Sequence, residues 1–381
     1  MNRFITGKVV KELSDITGNE ILVLDAYAIF DGLDIIELNK PIAAIAEDKY
    51  IFSHIYSFLQ MLNVPLFFVH QTTLEEICRY KSLTIDILNN TVGETIDEQQ
   101  QLPILDTKIT YGNEPISVFS SFKGMNIQDC FNYGADGIGL ISTEFVFYEY
   151  KNQITKEFQY ATFDRYFMSH PSSEYTIRLF DIASDKIPIW CRSMWNEHEK
   201  KKQGGRLLFS KVFSECLVQQ IKAIVKLSKK YSLSLLIPYF TNSNEIEMVK
   251  SIIQKHDNDC AIKLGVMIET VAAINDMQSI IDIVDFFSVG SNDLVQSYFG
   301  INRTNIEDHL DRISLNAAFW KTLGNIVDNA NGKQVRICGQ LPIAPKAIQH
   351  LIKLGYRSFT VHPIYIQYLK NTIGSIVVNC N

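Results

Sequence analysis

Apolar positions along this chain change their spacing near residue 116. Before it, short alternating runs at Glu20 to Leu24, Leu66 to Val69 and Leu83 to Leu88 surround one stretch of helical period, Ser53 to Leu62, which places Ile55, Phe58, Leu59 and Leu62 on one face. That mixture predicts a small α/β domain. After it, compact hydrophobic runs recur at Ser117 to Phe122, Gly137 to Ser142, Tyr175 to Phe180, Leu233 to Tyr239, Lys263 to Ile268, Phe286 to Val289, Val335 to Cys338 and Ser358 to Val361. Stretches of helical period fill the gaps, notably Leu207 to Lys229, Ala317 to Ala330 and Ala344 to Leu354. Near-continuous apolar runs are the signature of parallel strands buried on both faces. Eight strand and helix units in about 260 residues predict a closed (β/α)8 TIM barrel, with an open doubly wound sheet as the fallback.

Between the two styles, Asp97 to Pro115 is polar, rich in glutamine, and carries Pro103, Gly112 and Pro115, so it reads as a connector. The expected organisation is a small α/β domain over 1–102, a connector over 103–115 and the barrel over 116–381. A length of 381 residues accommodates one large and one small domain. Seven scattered cysteines, never in a C-x-x-C pair, argue against a disulfide framework and a thiolate zinc site, and predict reduced thiols in a cytoplasmic protein. No signal-like segment or run of membrane-spanning length is present, so no membrane partner is expected. The net charge of -6 gives no general attraction to nucleic acid, and none is expected as a partner. The one basic cluster, around Lys200 to Arg206, sits beside glycines and reads as a loop suited to an anionic small molecule.

Candidate chemistry gathers where the barrel strands end. Glu269 follows the run ending at Ile268, and Asn292-Asp293 follow the run ending at Val289. Carboxylates in those positions suit a hard divalent cation. Arg178, in an otherwise apolar strand, calls for anionic partners. Barrel active sites lie at the C-terminal ends of the strands, which is where these residues and Cys338 fall.

The segments GADGIGLISTEFVF (134–147), TIRLFDIASDK (176–186), GVMIETVAA (265–273), VDFFSVGSNDLVQ (284–296) and CGQLP (338–342) resemble, in order, the strand motifs of phosphoenolpyruvate-utilising enzymes. Enzyme I of the bacterial phosphotransferase system is the nearest in pattern, with pyruvate phosphate dikinase and phosphoenolpyruvate synthase further off. SHIYSFLQMLNVPLFFV (53–69) is similar to the family's phosphohistidine segment in its swivelling domain. The resemblance implies a Mg2+-dependent phosphotransferase in which Glu269 and Asp293 hold the metal. It implies that Arg178, Arg206 and Arg303 bind the phosphate and carboxylate of phosphoenolpyruvate, since guanidinium offers planar multidentate donors. Asn292 would donate to a phosphoryl oxygen. Cys338 would protonate the enolate to give pyruvate, a thiol being suited by an unperturbed pKa near neutrality. His54 would take the phosphoryl group as the nucleophile.

The chain departs from the family pattern at Ser142 and Gln340, where the pattern carries an arginine and a glutamate. It also lacks the glycines before Ser53-His54, and Ile55 replaces a hydroxyl residue. Two alternatives to phosphotransfer through His54 follow. One is a barrel enzyme that uses phosphoenolpyruvate or another 2-oxo acid enolate in a specialised biosynthetic reaction. The other is a catalytically lapsed regulator that binds a ligand. The expected partners are phosphoenolpyruvate and pyruvate, a phosphoryl-acceptor protein or small molecule, and a second copy of the chain in a homodimer.

Overall fold

The computed structural model describes residues 4–24, 40–47, 59, 64–87, 90–94, 109–124, 126–182, 187–200, 208–257, 259, 262–300, 316–344 and 346–380. The first sheet comprises β1 (Phe4–Val10), β2 (Glu20–Val23), β3 (Ala43–Glu47), β4 (Leu66–Val69), β5 (Ser82–Asp86) and β6 (Thr91–Gly93), in the order β4-β3-β2-β1-β5-β6. β1 to β4 run parallel to their neighbours, while β5 is antiparallel to β1 and to β6. Ile21, Leu22, Ala44, Ile45, Leu83 and Ile85 give this sheet a fully buried core. Of the predicted helix over Ser53 to Leu62, only Leu59 lies within the described residues, and it is helical and buried.

β7 (Ile109–Tyr111) and the first part of β8 (Glu114–Phe122) form an antiparallel hairpin in the stretch expected to be a connector. Gly112 makes the turn at φ +60, and the buried Ile109 opposite Ile116 supplies the apolar pair that holds the hairpin together. Residues 103–108, the rest of that connector, lie outside the described residues.

From β8 the chain builds the barrel. β9 (Ile138–Ser142), β10 (Glu174–Arg178), β11 (Ser232–Ile237), β12 (Lys263–Ile268), β13 (Phe286–Gly290), β14 (Gln334–Cys338) and β15 (Ser358–Val361) follow in spatial order, all parallel, and β15 pairs back with β8 to close the ring. Parity along the strands separates two cores. Val118, Ile141, Ile177, Leu235, Val266, Phe287, Ile337 and Phe359 have 0% exposure and belong to the apolar layer between ring and helices. The opposite parity forms a separate interior cluster of Leu236, Met267, Phe286 and Cys338, with Leu140 packed against it. Polar side chains complete that interior, including Thr176, Arg178, Ser288, Arg336 and Thr360, all buried.

The helices pack outside. Ser214–Ser228 begins later than the period from Leu207 predicts, because Leu208 and Phe213 are buried from turns and extend the apolar spacing upstream of the helix. Ala347–Lys353 is likewise shorter than expected, starting after Lys346 in a left-handed conformation. Thr270 caps Val271–Ile280, its hydroxyl accepting from the Ala273 amide at 3.0 Å. The cap fixes the chain's exit from β12 and so fixes Glu269. No described helix is long and apolar enough to cross a membrane.

Candidate active site at the C-terminal rim of the barrel

Arg178 ends β10 inside the ring, almost wholly removed from solvent. Its Nη2 donates to Glu144 Oε1, its Nη1 pairs with Asp181 Oδ2 at 3.1 Å, and Nη1 also reaches Met267 Sδ at 3.8 Å. The anionic partners demanded by this buried cation are therefore present in the chain itself. Burial works against the charge, but Glu144, Asp181 and Glu269 outweigh it and hold the guanidinium's pKa above its ordinary value. Nε has no hydrogen-bond partner among the described residues. The local frame is rigid: Thr143 Oγ1 donates to the Arg178 carbonyl at 2.9 Å, and Gln220 holds both Thr143 Oγ1 and the Phe180 amide.

Glu269 is 1% exposed, and its Oε2 accepts from the Tyr239 amide at 2.8 Å. Tyr239 takes a left-handed backbone conformation at φ 48, which turns that amide at the end of β11. Gly290 packs against the glutamate from β13. A Cβ on Gly290 would stand 2.6 Å from Glu269 Cγ and 2.7 Å from Oε1. Asp293 lies in the first turn of Ser291–Phe299, where the helix dipole favours a carboxylate.

Cys338 ends β14 with 5% exposure. Burial pushes its thiol up to about 12, with Glu269 and Asp293 adding to the rise and Arg178 opposing it. The sequence-based rationale of a thiol pKa near neutrality is thus corrected: the site keeps Cys338 protonated. Gly339 follows at φ +101, and a Cβ there would lie 2.5 Å from Ser291 Oγ and 2.6 Å from Asn292 Oδ1. Asn292 Oδ1 instead accepts from the Gln340 amide at 3.0 Å, and Ser291 Oγ donates to the Cys338 carbonyl at 2.7 Å. With its oxygen engaged, Asn292 has its NH2 group left to offer as a donor.

Three of the sequence-predicted residues, Arg178, Glu269 and Asp293, thus come close enough to act electrostatically on the thiol of a fourth, Cys338, and Asn292 is tied to the same loop. His54, Arg206 and Arg303 lie outside the described residues. No group of three or more His, Cys, Asp or Glu side chains that could hold a metal occurs among the described residues. Glu269 and Asp293 nevertheless offer the hard oxygen donors that suit a divalent ion completing its shell with ligand oxygens and water. Sequence reading missed Glu144 as the main partner of Arg178. No local signal marks it, since it stands 34 positions away.

A profile of the family described as "PEP-utilising enzyme, PEP-binding domain" matches residues 108–378. This chain belongs to the phosphoenolpyruvate-utilising enzyme family. It is 24% identical to the phosphoenolpyruvate-protein phosphotransferase of Haemophilus influenzae, over 98% of this chain and 70% of that one. It is 29% identical to the multiphosphoryl transfer protein of Xanthomonas campestris, over 62% of this chain and 29% of that one. Against several of its curated relatives the family member therefore spans less than half their length, as for the 33% of Escherichia coli multiphosphoryl transfer protein 2 that it matches. Among solved structures, pyruvate kinase from Pyrobaculum aerophilum overlays with a TM-score of 0.45 over 69% of this chain and 72% of that one, at 13% identity.

Proposed function

We propose that this chain cleaves phosphoenolpyruvate to pyruvate at the barrel rim, moving the phosphoryl group to His54 and from there to an acceptor protein or small molecule. One observation carries the reading: the carboxylates Glu269 and Asp293, the Arg178 guanidinium and the Cys338 thiol share one rim in a chain of this family. Glu269 and Asp293 are the residues that would hold Mg2+. Bound there, the ion supplies charge neutralisation for the phosphoryl oxygens and the developing enolate.

Arg178, joined by Arg206 and Arg303, binds and orients the phosphate and carboxylate, and Asn292 donates to a phosphoryl oxygen. In the transfer the bridging P–O bond breaks as the bond from an imidazole nitrogen of His54 to phosphorus forms, leaving an enolate. The Cys338 S–H gives its proton to the enolate carbon and releases pyruvate. A thiol pushed up to about 12 holds that proton firmly before the step, and its thiolate recovers one from water readily afterwards. Residues 1–102 act as the domain that carries His54 between the rim and the acceptor, with 103–115 as the hinge. The acceptor side and a homodimeric, cytoplasmic state follow the Enzyme I pattern.

The test is incubation with labelled phosphoenolpyruvate and Mg2+, reading pyruvate release and protein labelling in wild type, His54→Ala and Glu269→Ala. Loss of both signals in both variants supports the proposal. Pyruvate release that survives His54→Ala overturns the phosphohistidine step and points to an enolate reaction. A wild-type protein that binds phosphoenolpyruvate without turnover is the ligand-binding regulator instead.

A further inference from the structure

Arg336 lies on the inner face of β14, two residues before Cys338 and so roughly 7 Å deeper in the ring. It is 4% exposed. Its Nη1 crosses the barrel to Thr176 Oγ1 on β10 at 2.8 Å, and its Nε donates to Gln334 Oε1 at 2.9 Å. Thr176 is itself two residues below Arg178, so one guanidinium lies a layer beneath the other. Their surroundings differ in kind. Arg178 is paired with Glu144 and Asp181, whereas Arg336 makes no ion pair among the described residues.

What flanks Arg336 is aromatic. The guanidinium carbon stands 4.4 Å from the centroid of the Phe286 ring and 5.7 Å from that of Phe119. Both rings are seated on glycines of neighbouring strands. Any Cβ on Gly265 would fall against the Phe286 ring, and one on Gly139 would lie 2.7 Å from Phe119 Cβ. Ring faces stabilise a cation without cancelling its net charge, which a carboxylate would do. Burial lowers the guanidinium's pKa, and Glu174, exposed at the start of β10, is the carboxylate that opposes this. An arginine so placed still carries its charge at neutral pH.

We propose that Arg336 is a specificity-determining residue that acts without touching substrate, by placing beneath the rim a positive charge that no described carboxylate pairs with directly, and so favouring ligands of high negative charge. The inference rests on the proposed phosphoenolpyruvate site. In a water-poor interior, a unit charge about 10 Å from another changes affinity roughly tenfold at an effective dielectric of about 20. The effect grows with ligand charge. Phosphoenolpyruvate, with its phosphate and carboxylate, gains more than pyruvate, which has the carboxylate alone.

The test is calorimetric titration of the full-length protein with Arg336, Arg336→Gln and Arg336→Lys, each carrying His54→Ala so that bound phosphoenolpyruvate is not turned over, with phosphoenolpyruvate and with pyruvate, in Mg2+, with circular dichroism melts as the control for folding. Arg336→Gln is expected to weaken phosphoenolpyruvate by about tenfold while weakening pyruvate by clearly less, so that the ratio of the two affinities falls. Arg336→Lys is expected to keep that ratio within about threefold of its value with Arg336, because the charge remains. A purely structural arginine would shift both ligands together, so an unchanged ratio in a folded Arg336→Gln overturns the inference. Should Arg336→Gln not fold, a folded Arg336→Lys whose ratio collapses overturns it equally. Failure of the protein with Arg336 to bind phosphoenolpyruvate sinks the site reading, and this inference with it, whereas binding with an unchanged ratio sinks this inference alone.

Discussion

Gly290 stands against Glu269 so closely that a single added methyl group would lie 2.7 Å from the carboxylate's Oε1. The contact joins the ends of two adjacent strands, with Ile268 in register opposite Val289. Gly290→Ala is expected to push the carboxylate off its hydrogen bond with the Tyr239 amide and away from Asp293. The expected outcome is loss of Mg2+-dependent pyruvate release, by at least about tenfold, in a protein whose melt is shifted by only a few degrees. Retention of wild-type turnover would show that the position of Glu269 does not matter to the chemistry.

Arg178 and Glu144 form a pair with side-chain exposures of 8% and 0%, so neither charge has water to fall back on. Glu144→Ala leaves the guanidinium with Asp181 as its one direct ion pair among the described residues, and with the more distant Glu269. Removing one partner of such a pair costs about 3 to 5 kcal/mol, and chemical denaturation is expected to show a loss in that range. Glu144→Gln, which keeps a hydrogen-bond acceptor, is expected to cost less. Equal stability of all three proteins would mean that solvent reaches the pair.

The barrel was largely legible because its strands are the compact apolar runs that parallel strands buried on both faces require. Lys263–Ile268 and Ser358–Val361 match the runs residue for residue. Helix beginnings were less legible, as at Ser214, because buried residues in turns such as Phe213 continue the apolar spacing without being helical. The rim carboxylates could be found because both sit where an apolar strand run ends: Glu269 directly follows β12, and Asp293 lies in the first turn of the helix that follows β13. Arg336 could not, since within VRIC it reads as an isolated charge. Its meaning comes from Thr176, 160 positions earlier, and from rings on two other strands. Cross-barrel partners leave no local trace.

Cys338 carries a pH prediction with a definite sign. Its folded pKa is raised from the ordinary 9.0 to about 12, first by burial and then by Glu269. The folded state therefore prefers the neutral thiol, and the stability this contributes is complete below about pH 9 and is lost as pH rises towards about 12. Modification by a thiol reagent at pH 8 is expected to be far slower at Cys338 than at the half-buried Cys78, read by mass spectrometry of peptides. Cys338→Ala is expected to lower pyruvate release by about 100-fold or more while leaving phosphoenolpyruvate affinity within about threefold. Unchanged release would assign the proton to another donor.

Tyr365, just beyond β15, donates its hydroxyl to the Leu66 carbonyl at the start of β4, and its ring meets Phe67 edge-on with centroids 6.4 Å apart. Among the described residues this phenol is one of the ties between the small sheet and the barrel, which also share a buried apolar cluster. If residues 1–102 must leave the rim to deliver a phosphoryl group, this bond breaks in every cycle. Tyr365→Phe keeps the ring and removes only the hydrogen bond, a change worth about 0.5 to 1.5 kcal/mol when the acceptor gains access to water. Two results are expected together: faster hydrogen exchange at the amides of β4, and little change in the exchange of β12 and β13. If β4 and the barrel strands lose protection in parallel, the phenol is holding the whole fold rather than the junction, and release of the small sheet would not be the motion that carries His54.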